Sequence, residues 1–140
     1  MFYDYALTIP ANTAKGAPSE LEISLTHGVI HRVEIEFPAG CAGLAHLAIL
    51  LREFQLYPTN PDREFASDDY VIAFNDYFEL FEPPHNLVIR GYNTDDTYPH
   101  TITVRIGVLP KDVAEYVYGR RTKVDTARFY QAFGIPPPGG

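Results

Sequence analysis

The segment RGYNTDDTYPHTITVRI, residues 90–106, contains the densest cluster of polar side chains in the chain. Carboxylates such as Asp95 and Asp96 and imidazoles such as His100 are the groups that bind metal ions or transfer protons in active sites. Adjacent aspartates in an extended chain point to opposite sides, so this pair is not expected to share one proton. The spacing also differs from that of a calcium-binding loop, and we therefore predict no metal site here.

The same composition is typical of a turn that joins two strands. Asparagine and aspartate side chains hydrogen-bond to nearby backbone, and Pro99 favours an extended conformation for Tyr98. We therefore predict one strand that ends at Tyr92 and a second strand that starts at His100. The loop between them is predicted to lie at one end of the domain and to form a contact surface. Its predicted contact residues are Tyr92, Asp95, Asp96, Tyr98 and His100.

Other residues that could perform chemistry are scattered along the chain. No histidine lies in an H-E-x-x-H motif, and no serine lies in a G-x-S-x-G motif. Asp68 and Asp69 are adjacent, as Asp95 and Asp96 are. Cys41, in the segment PAGCAG, is expected to be a small buried side chain. The histidines are His27, His31, His46, His85 and His100. We predict a protein that is not an enzyme and needs no cofactor.

Two other functions stay open from the residues alone. A sugar-binding module could use tyrosines as a platform, because a flat ring packs against the apolar face of a sugar. The alternative for these tyrosines is a place in the core or in a subunit interface. They are Tyr57, Tyr70, Tyr77, Tyr92 and Tyr98. A small jelly-roll enzyme would instead need a pocket in which histidine and carboxylate groups converge.

Length and charge limit the classes of partner. The chain has 140 residues, of which 46% are hydrophobic and 14% aromatic, which is enough for the core of one domain. The formal net charge is −7, with 11 basic and 18 acidic residues, so nucleic acid is not an expected partner. The sequence shows no signal peptide and no apolar run of about 18 residues, so we expect neither export nor a membrane partner.

Alternation of apolar and polar residues predicts a mostly β domain over residues 1–109. ELEISLT, residues 20–26, and HRVEIEF, residues 31–37, both have period two, and the glycine between them predicts a hairpin turn over residues 27–29. This pattern is typical of an antiparallel β-sandwich or jelly roll. Further strands are predicted over residues 70–74, 76–81, 86–92 and 100–109.

Residues 42–56, AGLAHLAILLREFQL, are compatible with two structures. Leu44, Leu47, Ala48 and Leu51 are spaced as the apolar face of an amphipathic helix. The nearly continuous apolar run between turn-like flanks also fits a buried central strand that is covered on both faces. Because the segment sits between predicted hairpins in an otherwise β pattern, we favour the strand over the helix.

Residues 110–140 differ in character and are interpreted as a C-terminal arm. Short helices are predicted over residues 111–118 and 126–133, and the chain ends in IPPPGG. Residues 111–128 contain five basic residues against three acidic ones, whereas residues 62–82 contain seven acidic residues and one basic residue. The arm could pack on its own domain or on a neighbouring subunit. Its predicted contact residues are Tyr116, Tyr118, Arg120, Arg121, Lys123, Phe129, Tyr130 and Phe133.

Five segments within residues 1–110 follow one another in an order that carries a resemblance. They are YDYALTIPANT, LTHGVIHRVEIEFPAGCAGLAHLAIL, QLYPTNPD, FASDDYVIAF and RGYNTDDTYPHTITVRIGVL. This succession resembles small structural proteins of tailed bacteriophages that are encoded among the head genes. The resemblance is one of pattern and includes no catalytic motif. The arm lies outside it.

The resemblance implies a β-sandwich that decorates or cements a capsid, or one that sits where head and tail meet. It implies a homo-oligomer, with a trimer favoured, whose partner is the major capsid protein or another virion protein. The expected location is the virion, after assembly in the host cytoplasm. An arm that crosses to a neighbouring subunit would suit this role, because a repeated symmetric contact gains avidity.

Overall fold

The computed structural model describes residues 1–119, which form two antiparallel four-stranded sheets followed by a short helical segment. The strands are β1 (Phe2–Ile9), β2 (Ser19–Ser24), β3 (Gly28–Phe37), β4 (Ala45–Leu51), β5 (Phe54–Tyr57), β6 (Tyr70–Leu80), β7 (Asn86–Asn93) and β8 (His100–Leu109). The helical segment consists of α1 (Lys111–Ala114) and one π-helical turn, Glu115–Gly119. No helix in the described residues is long and apolar enough to cross a membrane.

The strand order is that of a jelly roll. Sheet A has the order β1-β8-β3-β6, and sheet B has the order β2-β7-β4-β5. The strands therefore pair from the outside of the sequence inward: β1 with β8, β2 with β7, β3 with β6 and β4 with β5. One long antiparallel ribbon that folds over into two sheets gives this nested pairing. The predicted antiparallel β-sandwich is confirmed.

Period-two patterning places the core between the two sheets. On β3, the side chains of Val33, Ile35 and Phe37 are at most 1% exposed, and the alternate residues between them carry charges. The inward residues of β8 meet the same interior, as do those of β4 and β7. A sheet with one wet face needs this alternation, because consecutive side chains point to opposite sides. The central buried side chains are Ile9, Ile23, Leu47, Ile49, Leu87, Ile89, Ile102, Val104 and Ile106.

The predicted hairpin between β2 and β3 is wrong. β2 pairs with β7 in sheet B, and β3 pairs with β8 and β6 in sheet A, so the segment around Gly28 carries the chain from one sheet to the other. A Cβ on Gly28 would collide with the backbone carbonyl of Leu109 at the end of β8. Glycine is therefore required by close packing against β8, which a sequence cannot distinguish from a need for a tight turn.

A second correction concerns the strands predicted over residues 70–74 and 76–81, which are one continuous strand, β6. Asn75, which the prediction treated as a break, lies within the strand opposite Arg32. Its side-chain oxygen accepts a hydrogen bond from Arg32 Nη1 at 3.1 Å. The polar residue is thus satisfied by a cross-strand partner on the outer face of the sheet.

Residues 42–56 form strands, not a helix. β4 is central in sheet B, and β5 returns beside it after a turn in which Arg52 has a φ of 57°. The outward side chains of Ala48 and Leu50 are only 4% exposed. Side chains of the loop after β5 and of β7, including Glu64 and Arg90, lie beside them on this face. Phe65 extends the edge of the sheet at β4, where it exchanges two backbone hydrogen bonds with Leu47, at 2.8 and 3.0 Å. The helical spacing was therefore produced by a strand that is covered on both faces.

The start of the arm packs on its own domain. α1 and the turn after it occupy the first predicted helix, and Ala114 is fully buried. The Lys111 ammonium lies 5.1 Å from the centre of the Phe81 ring, and the ring of Tyr118 meets Tyr77 edge-on at 5.7 Å. The segment thus runs over the outer face of sheet A along β6. The second predicted helix, residues 126–133, lies outside the described residues.

Replacing Gly91 by valine is expected to destabilise the domain by about 1–3 kcal/mol, the usual cost of forcing extra atoms into a packed site. A Cβ at this position of β7 would meet the Ile9 side chain and lie 3.0 Å from the His46 carbonyl oxygen. Urea unfolding measures the change. Gly16→Ala is the control, because a Cβ there meets nothing within 4 Å. Equal losses of stability in both variants would contradict this packing argument.

Candidate functional site

Three polar side chains, Asn93, Asp95 and His100, are buried where β7 turns into β8, and we call them the end network. His100 Nε2 lies 2.9 Å from Asp95 Oδ2. The other carboxylate oxygen, Oδ1, accepts hydrogen bonds from the backbone N–H groups of Thr97 at 2.9 Å and Tyr98 at 3.2 Å. Asp95 therefore closes the loop in the manner of an Asx turn, as the composition predicts.

Asn93 ties this loop to the neighbouring strand. Its side-chain amide donates hydrogen bonds to the carbonyl oxygens of Ile9 at 3.3 Å and Tyr98 at 3.0 Å. Its side-chain oxygen accepts a hydrogen bond from the Asp95 N–H at 3.0 Å. Because Asn93 is completely buried, each of these bonds offsets the cost of removing a polar group from water.

Two further loops are attached to the end network by backbone hydrogen bonds. One is the loop between β1 and β2, and the other is the segment before β4. The bonds run from the Asn12 N–H to the Asp95 oxygen (2.8 Å), from the Asn93 N–H to the Thr13 oxygen (3.0 Å) and from the Thr94 N–H to the Leu44 oxygen (3.0 Å). The network thus holds three loops together at one end of the sandwich.

The chemistry open to the end network is limited by its burial. A histidine beside a carboxylate can serve acid–base catalysis, but the side chains of His100 and Asp95 are only 8% and 11% exposed. The N–H groups of Thr97 and Tyr98, together with His100, hold the pKa of Asp95 below its ordinary value, the Thr97 bond contributing most. Every buried side-chain nitrogen and oxygen among residues 1–119 has a hydrogen-bond partner. The arrangement suits a structural joint.

Burial divides the residues that the sequence analysis placed on the loop surface. Asp95 and His100 face the interior, whereas Asp96 is exposed and Tyr98 is 65% exposed. Tyr92 lies on the outer face of sheet B, where its ring stacks on His46 with centres 4.3 Å apart. Asp96 and Tyr98 are therefore the members of this set that a partner could reach at the loop tip.

In the pair Asp68 and Asp69, the carboxylate of Asp68 holds a neighbouring loop. Asp68 Oδ1 accepts hydrogen bonds from the backbone N–H groups of Gly40 at 3.0 Å and Ala42 at 2.8 Å. Cys41, between those two residues, is fully buried, as predicted. Burial, and secondarily the charge of Asp68, raises the pKa of the Cys41 thiol. A thiol with a raised pKa is a poor nucleophile at neutral pH, so this site is structural.

Apart from the pairing of His100 with Asp95, the histidines within residues 1–119 do not gather around a shared cluster of carboxylates. Within the described residues, no group of three or more His, Cys, Asp or Glu side chains could hold a metal ion. His27 stacks on Phe81 with centres 4.9 Å apart and meets His85 edge-on at 5.6 Å. His31 packs beside Gly107. These contacts are those of aromatic rings that fill space at the strand ends and on the sheet surface.

The five tyrosines considered for a sugar platform are distributed over different faces. Tyr57 is buried, and its hydroxyl donates a hydrogen bond to Asp76 Oδ2 at 2.5 Å. The others lie on β6, on β7 and in the loop before β8. The structure therefore does not bring these five rings together on one surface.

The predicted arm residues fall partly within the described chain. Tyr116 is 66% exposed, and Tyr118 contacts Tyr77 on β6. The other six arm residues lie outside the described residues, namely Arg120, Arg121, Lys123, Phe129, Tyr130 and Phe133.

Sequence reasoning missed a cleft of about 120 Å³ on the outer face of sheet B. Its floor comes from β4, β5 and β7, and its walls come from the loop after β1 and the loop after β5. We call it the outer-sheet cleft, and it is lined by Lys15, Pro18, Ala48, Leu50, Gln55, Asp62, Glu64, Arg90 and Tyr92. The lining residues come from five separate segments of the chain, so no motif within one segment predicts the cleft.

Ion pairs hold the rim of the outer-sheet cleft. The Lys15 ammonium lies 3.0 Å from Glu64 Oε1, which connects the two walls, and Arg90 Nε lies 2.9 Å from Glu20 Oε1. The Lys15 ammonium is also 5.9 Å from the centre of the Tyr92 ring. Burial, followed by the charge of Glu64, raises the pKa of Tyr92, so its hydroxyl stays protonated at neutral pH.

Comparison with known proteins yields no matching family model and no matching curated sequence. Function therefore has to be argued from the fold, from the two sites and from the sequence of the arm.

Replacing Asp95 by asparagine is expected to lower stability at neutral pH and to flatten its acid dependence. In the folded protein the pKa of Asp95 is lowered. The carboxylate therefore stabilises the fold above its ordinary pKa, and this contribution is lost as the pH falls through the lowered value. Urea unfolding between about pH 7 and about pH 2 measures the pH dependence of the free energy of unfolding.

Asp96→Asn is the matched control, because the Asp96 carboxylate is exposed and accepts a hydrogen bond from the neighbouring Thr97 hydroxyl, at 2.8 Å. Its unfolding midpoint and pH dependence should stay close to those of the unmodified protein. A loss as large as that of Asp95→Asn would show that the buried carboxylate has no special role in holding the loops.

Proposed function

We propose that this protein is a non-enzymatic structural component of a bacteriophage virion, a decoration or cement protein that binds the head as a homo-oligomer. The observation that carries the proposal is a jelly roll whose C-terminal helical segment packs on the outer face of sheet A. In the sequence, this segment is followed by a stretch rich in basic and aromatic residues. Jelly rolls are common in viral capsid proteins, although they also serve other functions. The pattern resemblance to phage head proteins points the same way.

The use of polar side chains supports a structural role. The buried His100 and Asp95 are occupied in joining loops, and Asp68 is occupied in holding the backbone around Cys41. A protein that assembles through repeated contacts needs a rigid body more than a reactive centre.

Charge asymmetry supports contact between copies. Residues 111–128 carry five basic and three acidic residues, and residues 62–82 carry seven acidic and one basic residue. Arg120 and Arg121 follow directly after the segment that packs on sheet A. An arm of one subunit that reaches the acidic surface of the next would be guided by this complementarity, while aromatic anchors supply most of the affinity. We favour a trimer that binds the major capsid protein.

A position at the junction of head and tail is the alternative within the same proposal. The jelly-roll body and the arm suit either location, and the two differ in which virion protein is bound. Neither location requires a cofactor, nucleic acid or membrane as partner.

Reversing the charge of the arm is expected to weaken self-association about tenfold or more, because opposite charges set the encounter and its registration. The variant combines Arg120→Glu, Arg121→Glu and Lys123→Glu in the full chain. Size-exclusion chromatography with light scattering gives the mass of the oligomer, and sedimentation gives its dissociation constant. A second variant ends after Gly119, which keeps the buried Ala114 and the Tyr118 contact with the body.

Arg52→Glu is the control, because Arg52 is an exposed basic residue in the turn between β4 and β5, outside both residues 62–82 and the arm. It should leave the oligomer unchanged. A full-length chain that stays monomeric at high micromolar concentration would overturn the proposal, as would a chain ending after Gly119 that forms the same oligomer with the same dissociation constant.

A further inference from the structure

We propose that the outer-sheet cleft binds a single ring of a neutral saccharide. This inference does not rest on the virion role, since it uses only sheet B and the two loops that cross it. A volume of about 120 Å³ is well below the roughly 300–1,000 Å³ of pockets that take drug-sized ligands. The cleft therefore suits one ring, such as the terminal residue of a glycan, and not a longer chain.

The floor of the cleft matches the apolar face of a sugar ring. Ala48 and Leu50 point away from the core of the sandwich, yet each is only 4% exposed, and Pro18 lies beside them. Because so little of Ala48 and Leu50 is accessible, the C–H face of a ring would gain its apolar contact mainly against the half-buried Pro18 beside them.

The rim selects for a neutral polyol, because it presents both signs of charge. Asp62 and Glu64 supply hydrogen-bond acceptors, and Lys15 and Arg90 supply donors. A sugar hydroxyl both donates and accepts, so one ring can use both kinds of group. An anionic ligand would face the two carboxylates and a cationic ligand would face the two bases, so either would lose part of its binding energy to repulsion.

Intramolecular hydrogen bonds and an ion pair hold the rim in place. Gln55 Nε2 donates to the carbonyl oxygens of Pro58, Asn60 and Arg63 at 2.8, 3.1 and 2.9 Å, which fixes one wall. Lys15 and Glu64 join this wall to the opposite one. Ordered side chains lose little conformational freedom on binding, which favours affinity for a small ligand.

Some hydrogen-bonding capacity is left over for a ligand. The contact of Arg90 with Glu20 uses Nε, so the two terminal amino groups of the guanidinium are not used by that pair. The three bonds of Gln55 use its nitrogen and not its amide oxygen. The Tyr92 ring stacks on His46 and its hydroxyl is hydrogen-bonded to Glu64, so we assign neither to the ligand.

A side chain from a partner protein is the competing occupant. An apolar side chain would cover the floor but would leave the terminal amino groups of Arg90 and the amide oxygen of Gln55 without hydrogen-bonding partners, which is costly once water is excluded. The rim therefore favours the saccharide.

Ligand-observed saturation-transfer NMR on the full chain tests the proposal with glucose, galactose, mannose and N-acetylglucosamine as neutral probes. Glucosamine and glucuronate serve as the charged probes. We expect saturation transfer to at least one neutral sugar at millimolar concentration, and at least severalfold weaker transfer to its charged counterparts. Failure of all four neutral sugars would overturn the proposal, and so would equal transfer to the charged probes.

Two variants place the ligand in the cleft. Asp62→Ala removes an exposed acceptor at the rim, and Arg90→Leu removes the donors on β7. Each is expected to weaken the binding of the neutral sugar about tenfold, as loss of one or two hydrogen bonds to a charged group does. Tyr98→Ala, at the loop tip outside the cleft, is the control and should bind as the unmodified protein does. Undiminished binding in both rim variants would overturn the assignment.

Discussion

The antiparallel register between the two halves of the chain is the constraint on which the rest of the structure depends. Strands β1 to β4 pair in order with β8 to β5, so a slip of one residue in any pair would turn its buried side chains toward water. Leu7 faces Ile102, and Ile35 faces Val104, so neighbouring strands bury their apolar side chains on the same side. The loops can differ in shape only within the limits that this register sets.

Period two identified most strands but could not identify their neighbours. The alternation in residues 31–37 shows which face of β3 is exposed to solvent. The same alternation is expected whether β3 pairs with β2 or with β8. The hairpin prediction failed for this reason, since Gly28 serves close packing and not a two-stranded turn. Residues 42–56 were ambiguous because a strand covered on both faces has no alternation to read. An amphipathic helix and a strand that is buried on both faces can therefore have the same pattern of apolar residues.

The candidate sites show the same limit. The composition of residues 93–99 predicted a turn, yet nothing local distinguishes Asp95, which is buried, from Asp96, which is exposed. The difference arises from His100 and from the loop after β1, both contributed by tertiary structure. The outer-sheet cleft was missed because its walls come from loops that meet only in the folded protein. The two outer faces thus differ: the start of the arm covers part of sheet A, and sheet B carries a polar cleft with an apolar floor.

Nested pairing also sets an order for folding. β4 and β5 are joined by Arg52 and Glu53 alone, so they can pair with little loss of loop entropy. β1 and β8 are adjacent in sheet A although they stand at opposite ends of the described chain, and their contact requires that almost everything between them be ordered. During synthesis β1 must therefore wait for β8. In the nascent chain, β4 and β5 would pair first and β1 and β8 last. An unpaired β1 would be exposed to chaperones until β8 has left the ribosome.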